Sequence, residues 1–581
     1  MESIRDHEEP EPGLELNRRR FLGGIGGVTV GSLAGGLAGV GAMTLGTRRA
    51  GADEIGPEEL GDRLGTAERI REDAARAEKQ LGVFPHTCNG DEALYPSKIG
   101  SYHKALPHDS DGFVDTDAYD ALRGAIESGQ FADFEAVPLG GITRLLNPIA
   151  GISFNLEGPD NAATVGAAPA PALASAVRAA EAAELYWMAL TRDIPFPSYG
   201  TDSTIADACA DLNNLPGYQG PKDPSTNTVT PQVLFRWQAP GVLDGPMTSQ
   251  FLLRNWVFDG VTVTGRVNTA AVGGDFMTEW NEFLAVQNGG GGAATPPLDP
   301  VLRFPRSGRD LAMVAAFDKI FTAYLKAAHI LLQFPVNFAT GAFLDASWPY
   351  KPGGKMAGFA SFGLAWLLEN LAAVGKAERP TWYQKWNVHR TVRPEAYGGL
   401  VHKAVAESFD LPIHSDLTEV STVLPRIFAF NQARNAARGL GAVGTYLLPQ
   451  QLRLGCPTHP SYPAGHAYSA GACVTFLKAV VDEAALLPGP VKPSADGTSV
   501  SPYVAGVDGP ALTVGGELNK IAHNLSFGRD MSGIHWRSDD VAGLLQGEEV
   551  AIRFLHEQKP TYAEPFTGFS LTKFDGTTII I

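Results

Sequence analysis

The chain has 581 residues, 44% of them hydrophobic and 19% charged, which are the proportions of a folded globular protein with a packed core and exclude a disordered one. Its 46 Lys and Arg against 63 Asp and Glu leave a formal net charge of −17 without a concentrated basic patch, which argues against a nucleic-acid partner. Four cysteines, Cys88, Cys209, Cys456 and Cys473, stand far apart without C-x-x-C spacing, which removes zinc-ribbon, iron–sulfur and c-type haem readings and leaves at most a disulfide or two.

In chain order, residues 17–43 join Arg18 and Arg19, followed by Phe21 and Leu22, to a Gly- and Ala-rich stretch without charge. This is the pattern of a twin-arginine export signal, so residues 1–50 are read as that signal and the protein as secreted, periplasmic or held at the cell surface. No small-residue cleavage site follows, and release and anchoring both stay open. Residues 51–98 read as an N-terminal helical arm, and residues 99–581 as one large domain. Breaks rich in Gly and Pro fall at 195–230, an irregular excursion, and at "NGGGGAATPPLDP", 288–300, a surface loop. Apolar spacing predicts helices at 171–191, 307–334, 355–374, 418–438, 465–486 and 539–557. In the last of these, Val541, Leu544, Leu545, Ala551, Ile552 and Leu555 share one face. Long alternating patterns are absent, so the fold class is mainly α, helical bundles packed in one large domain with minor short strands.

Three clusters between residues 380 and 540 carry chemistry. In "QKWNVHRTVRPEAYGG", Lys385, His389 and Arg393 are spaced i, i+4, i+8 and share one face of a helix, Arg390 points elsewhere, and Pro394 ends the helix at Arg393. Alone, these are cations complementing a helix dipole. In "HPSYPAGHA", the amides at the head of the following helix can bind an anion, Gly465 lets it approach the backbone, and His466 stands in the first turn. Alone, this is a proline-started helix cap. In "NLSFGRDMSGIHWRSDD", Arg529 precedes His535 by six positions and Asp539 follows it by four, so the carboxylate can orient the imidazole through its second nitrogen. Alone, this is a capping Asp beside a surface histidine. Together, one lysine, two arginines, a helix N-terminus and two histidines make a site for a compact trivalent oxyanion.

These clusters resemble the signature shared by vanadium-dependent haloperoxidases and type 2 phosphatidic acid phosphatases. "WYQKWNVHRTVRPEAYGG", with seven residues between lysine and arginine, resembles the bromoperoxidase form. "KALPHDSDGFVDTDAYDAL", "NPIAGISFNLEGPD" and "DFMTEWNEFLAVQNG" extend the resemblance from Ile99 to the C-terminus. It implies two four-helix bundles with vanadate at their end. His535 would bond the vanadium, and Lys385, Arg393, Arg529 and the Gly465 amide would neutralise its oxygens. His466 would be the acid–base residue, and Lys385 would polarise the activated peroxide. His459, matching a second histidine of bromoperoxidases, implies bromide over chloride. The reaction implied is halide oxidation by hydrogen peroxide to hypohalous acid, which halogenates organic acceptors, with vanadate as the cofactor and a homo-oligomer as the assembly. Ala464 departs from the family's usual serine, whose hydroxyl bonds a vanadate oxygen, and Gly528 is a step away from the phosphatases, which typically carry serine there. The competing readings are an acid phosphatase with His535 as nucleophile, Asp539 as its orienter and His466 as acid, and a secreted helical assembly protein with a decayed site.

Overall fold

The computed structural model describes residues 59–292, 295–333, 348–351 and 353–581. The expected export signal at 1–50 and the first residues of the arm lie outside them. The arm is helix α1 (Leu60–Leu81). Next come α2 (Thr116–Ser128), whose open amides at Asp117 and Ala118 bond the Asp115 carboxylate, and α3 (Ala176–Thr191), capped by Ser175. The excursion at 195–230 is less irregular than expected, because Asp202 caps a helix over Ser203–Asn213.

The single helix expected at 307–334 is two, α4 (Gly308–Phe317) and α5 (Thr322–Gln333). Asp318 divides them: its Oδ1 accepts the Thr322 hydroxyl at 2.8 Å and the Ala323 amide at 3.1 Å, which starts the second helix afresh. Helix α6 (Leu364–Lys376) begins later than the spacing suggested, and α7 (Arg379–Tyr383) and α8 (Pro394–Ala406) follow. Helix α9 (Val423–Ala437) also begins late, because Ser421 Oγ and the Thr422 amide bond the Asp211 carboxylate at 2.7 and 2.6 Å and hold the chain out of helical geometry. Helix α10 (Gly465–Val480) stops short of residue 486, α11 (Val514–Met531) follows, and α12 (Arg537–Gln558) closes the helical part. Strands are minor, as expected: β1 (Trp256–Phe258) pairs with β2 (Val261–Val263), β3 (Val491–Pro493) with β4 (Val500–Pro502), and β5 (Ser570–Thr572) with β6 (Thr578–Ile580), all antiparallel. The four cysteines are all free, so none of the allowed disulfides forms.

Two large hydrophobic clusters organise these helices. One gathers Leu371, Phe476, Leu477, Leu518, Leu525, Leu544 and Phe554 from α6 and α10–α12, and the other gathers Ala183, Trp187, Val401, Ile427 and Trp536 around α3, α8 and α9. Every residue of α11 is buried, which is why it lacks the one-sided apolar spacing that reveals a surface helix. Along α12 the expected stripe holds for the buried Leu544, Ala551 and Leu555. Leu545, at the stripe's edge, is 46% exposed.

Helices α10 and α12 approach until backbones touch. A Cβ on Gly547 would stand 2.1 Å from the Tyr468 carbonyl oxygen, and one on Gly543 would stand 2.4 Å from that of Ala464. The Ala464 amide donates to the Asp539 carbonyl at 2.9 Å, so the heads of both helices are fastened together. Gly547→Ala would wedge them apart, and a destabilisation of about 1–3 kcal/mol is expected, read as a lower urea midpoint for unfolding; an unchanged midpoint would refute this packing.

Candidate active site

Lys385 lies in a π-helical turn, Gln384–His389, that continues α7. The helix ends there, because Arg390 takes a left-handed conformation at φ 38°. Arg393 is extended and immediately precedes α8, whose first residue is Pro394. Lys385, His389 and Arg393 therefore do not share one helical face; Pro394 starts the next helix instead of ending the previous one. Tertiary contacts still bring Lys385 and Arg393 together. Lys385 Nζ donates to the carbonyls of Pro460 and Ser461 at 3.2 and 2.9 Å. Arg393 donates to the carbonyls of His459, Ile534 and Pro460 at 3.0, 2.9 and 3.3 Å. His389 instead bonds the Gln384 side chain at 3.1 Å, and Arg390 pairs with Glu92, away from the cluster.

The loop over 456–464 brings His459 to Arg393, with an imidazole nitrogen 3.0 Å from Nη2, and its ring lies against Trp382 with centroids 5.0 Å apart. Gly465 opens α10, and Ala464 offers no side chain to cap it. The first amides of the helix are left for another acceptor. His466 is the second residue of α10 and is partly exposed, as its expected place in the first turn requires.

His535 sits just before α12, so its relation to Asp539 is a capping turn and not a helical i, i+4 pair. Asp539 Oδ2 accepts His535 Nδ1–H at 2.9 Å, the Trp536 amide at 3.1 Å and the Ser461 hydroxyl. Arg393 Nη1 lies 3.1 Å from the other ring nitrogen of His535. A guanidinium can only donate, so Nε2 is the unprotonated nitrogen and Asp539 fixes that tautomer. The expected orienting role of Asp539 thus has its geometry.

Among the described residues, Lys385, Arg393 and Arg529 make no ion pair with a carboxylate within 4.0 Å, although all three are buried. Arg529 Nε is buried with no hydrogen-bond partner at all. Burial, and then the Arg393 charge, push the Lys385 ammonium well below its ordinary pKa and lower Arg529 to about 10. Burial first, and the surrounding cations second, hold His466, His459 and His535 well below 6.5. An anion placed among these groups relieves both penalties. The donor set of three cations, open helix amides and one imidazole lone pair fits a tetrahedral oxyanion whose central atom accepts a nitrogen ligand.

Sequence reasoning overlooked three neighbours. Trp382 backs His459, Ser461 holds Asp539, and Glu378 lies beside Gly465, where its Oε2 would be 3.7 Å from an added Cβ. Trp382 and Ser461 fall within the motifs already noticed, yet carry no charge to draw attention. Only the fold brings Glu378 to the helix head. Gly528, read as a step away from the phosphatases, has a packing reason: a Cβ there would stand 2.8 Å from the Leu311 carbonyl oxygen of α4.

Fold and site together define a helical protein that gathers buried cations and histidines at the head of one helix. A family model for the VCPO second helical-bundle domain matches residues 440–562. The vanadium-dependent bromoperoxidase of Ascophyllum nodosum is 39% identical over 530 residues, covering 88% of this chain and 91% of the relative. That of Corallina pilulifera is 35% identical over 591 residues, covering 88% and 97%. The homohexameric structure of the second vanadate-dependent bromoperoxidase from Ascophyllum nodosum superposes with a TM-score of 0.84 at 32% identity, over 93% of this chain and 94% of that one. The chain belongs to the vanadium-dependent bromoperoxidase family.

The depressed basicity of the site histidines is open to direct observation. In anion-free protein the His466 and His535 rings should stay neutral as the pH falls through about 6.5, and their NMR signals should titrate only below it. Titration of either at the ordinary value would contradict the electrostatics described.

Proposed function

We infer that the protein oxidises a halide, bromide in preference to chloride, with hydrogen peroxide on a bound vanadate, releasing hypohalous acid that halogenates organic acceptors. The observation that carries this reading is the unprotonated Nε2 of His535, which here accepts from Arg393, set among three buried cations that have no carboxylate ion pair among the described residues. His535 would ligate the vanadium through Nε2, with Asp539 keeping Nδ1 protonated. Lys385, Arg393, Arg529 and the Gly465 amide would hold the oxyanion oxygens by charge-assisted hydrogen bonds. Vanadate supplies a Lewis-acidic centre that activates peroxide without changing oxidation state.

Conversion of bromide and hydrogen peroxide to hypobromous acid and water consumes one proton. His466, the one site imidazole in the first turn of α10, would hold and deliver it. Its basicity is suppressed while the pocket contains only cations, and a bound anion would raise it toward neutrality. His459 acts at one remove, through its contact with Arg393 and its packing against Trp382. The position of Ala464 supplies no hydroxyl, and the nearby Ser461 hydroxyl is committed to Asp539, so neither replaces the serine usual in the family. Self-association belongs to the same reading, supported by the homohexameric relative. Export by the twin-arginine route rests on Arg18 and Arg19.

Bromination of a phenolic dye with bromide and peroxide, run with and without added vanadate beside hydrolysis of an aryl phosphate, tests the activity. Bromination that requires vanadate is expected. Phosphate hydrolysis that vanadate inhibits, without bromination, would establish the phosphatase, and inactivity in both assays would point to the decayed assembly protein. At the level of the site, His535→Ala should abolish vanadate binding in a direct titration. Ala464→Ser should leave it intact or tighten it by up to about tenfold, the worth of one added hydrogen bond; loss of binding in the serine variant would refute the placement of Ala464.

A further inference from the structure

Glu378 sets a carboxylate against the open head of α10. It immediately precedes α7, and its Oε2 lies 3.7 Å from the point where a Cβ on Gly465 would stand. Its charge acts on Lys385 and on Tyr468, and the Trp382 amide donates to the Glu378 carbonyl at 3.2 Å. The same tryptophan packs on His459. Among the described residues no lysine or arginine pairs with Glu378 within 4.0 Å, whereas the neighbouring Arg379 is turned to Asn155. Burial raises its carboxyl above the usual range, and the neighbouring Trp382 indole and Lys385 ammonium pull it back. The carboxylate performs no step in the reaction assigned to the site, and it stands beside the first residue of α10, whose amide would hold the oxyanion.

We propose that Glu378 is a specificity-determining residue, whose carboxylate at the rim of the pocket disfavours doubly charged oxyanions more than singly charged ones and so keeps the pocket for vanadate against phosphate. The two ions have the same tetrahedral shape and would meet the same Lys385, Arg393 and Arg529. They differ in charge: just above neutral pH, dissolved phosphate is largely the dianion and vanadate largely the monoanion. Repulsion between a fixed carboxylate and an anion several ångströms away, partly screened by protein and solvent, amounts to a factor on the order of tens in affinity per unit of anion charge. A second charge on the anion doubles the exponent.

This inference rests on the oxyanion reading of the site, and the test separates the two. Dissociation constants for inorganic phosphate and inorganic vanadate are measured by calorimetry on the anion-free full chain, for the wild type, Glu378→Gln and Glu378→Asp. In the wild type, vanadate should bind and phosphate bind far more weakly. In Glu378→Gln vanadate should gain by a factor on the order of tens and phosphate by about the square of that factor, so that the ratio of the two constants falls by a factor on the order of tens, whereas Glu378→Asp keeps the wild-type ratio. Glu378→Met provides a second neutral variant, read by the same ratio, if the glutamine variant melts early. An unchanged ratio in a folded neutral variant, with vanadate still bound, would overturn the role of Glu378 and leave the oxyanion site standing. A wild type that binds neither anion would overturn the site itself. Equal change in the Asp and Gln variants would mean that Glu378 acts through shape instead of charge, which also contradicts the proposal.

Discussion

Uncompensated positive charge, buried where three segments of chain meet, is the constraint on which the rest of this structure depends. Lys385, Arg393 and Arg529 are withdrawn from water and, among the described residues, have no carboxylate ion pair to offset the loss of hydration. Burying such groups costs several kcal/mol each unless something else offsets it. Backbone carbonyls of Pro460, Ser461, His459 and Ile534 offset part of that cost by fixing two of the cations in place. The remainder is felt as suppressed basicity, because burial first and the neighbouring cations second lower the Lys385 ammonium and the His466 imidazole.

Holding like charges together demands a rigid frame, and the closest helix contact in the fold provides it. Glycines at 543 and 547 let α12 lie against α10 at backbone distance, and the Ala464 amide joins the two helix heads. One carboxylate, Asp539, then caps α12, fixes the His535 tautomer and anchors the loop through Ser461. Because Asp539 serves all three, the imidazole lone pair and the open amides of α10 keep a fixed relation to one another. The position of Glu378 follows from the same frame. A carboxylate placed among the cations would quench the pocket by pairing with them, whereas at its rim it biases which anion enters.

The charged residues of the site were legible in the sequence because each cluster is short and carries the residue types that oxyanion chemistry requires. Lys385, Arg393, Gly465, His466, Arg529, His535 and Asp539 all fall within three stretches, although the geometry inferred for the first was mistaken. Pro394 is as well suited to start a helix as to end one, and local sequence does not distinguish these roles at Arg393. Mainly helical character was readable from apolar spacing in the half-buried helices. It failed for α11, which is buried on every side, and at Asp318, where a side-chain cap divides an otherwise continuous apolar run. Trp382, Ser461 and Glu378 escaped notice because what they touch is set by the packing of separate segments and not by spacing along the chain.

The central claim, that these cations and the His535 lone pair surround one oxyanion, is tested most directly by a crystal structure of the protein soaked with vanadate, with anomalous data collected above the vanadium absorption edge. The account predicts a single anomalous peak within bonding distance of His535 Nε2, with oxygens directed at Lys385, Arg393, Arg529 and the Gly465 amide. A peak elsewhere, or one bonded to His459 or His466 in place of His535, would contradict it.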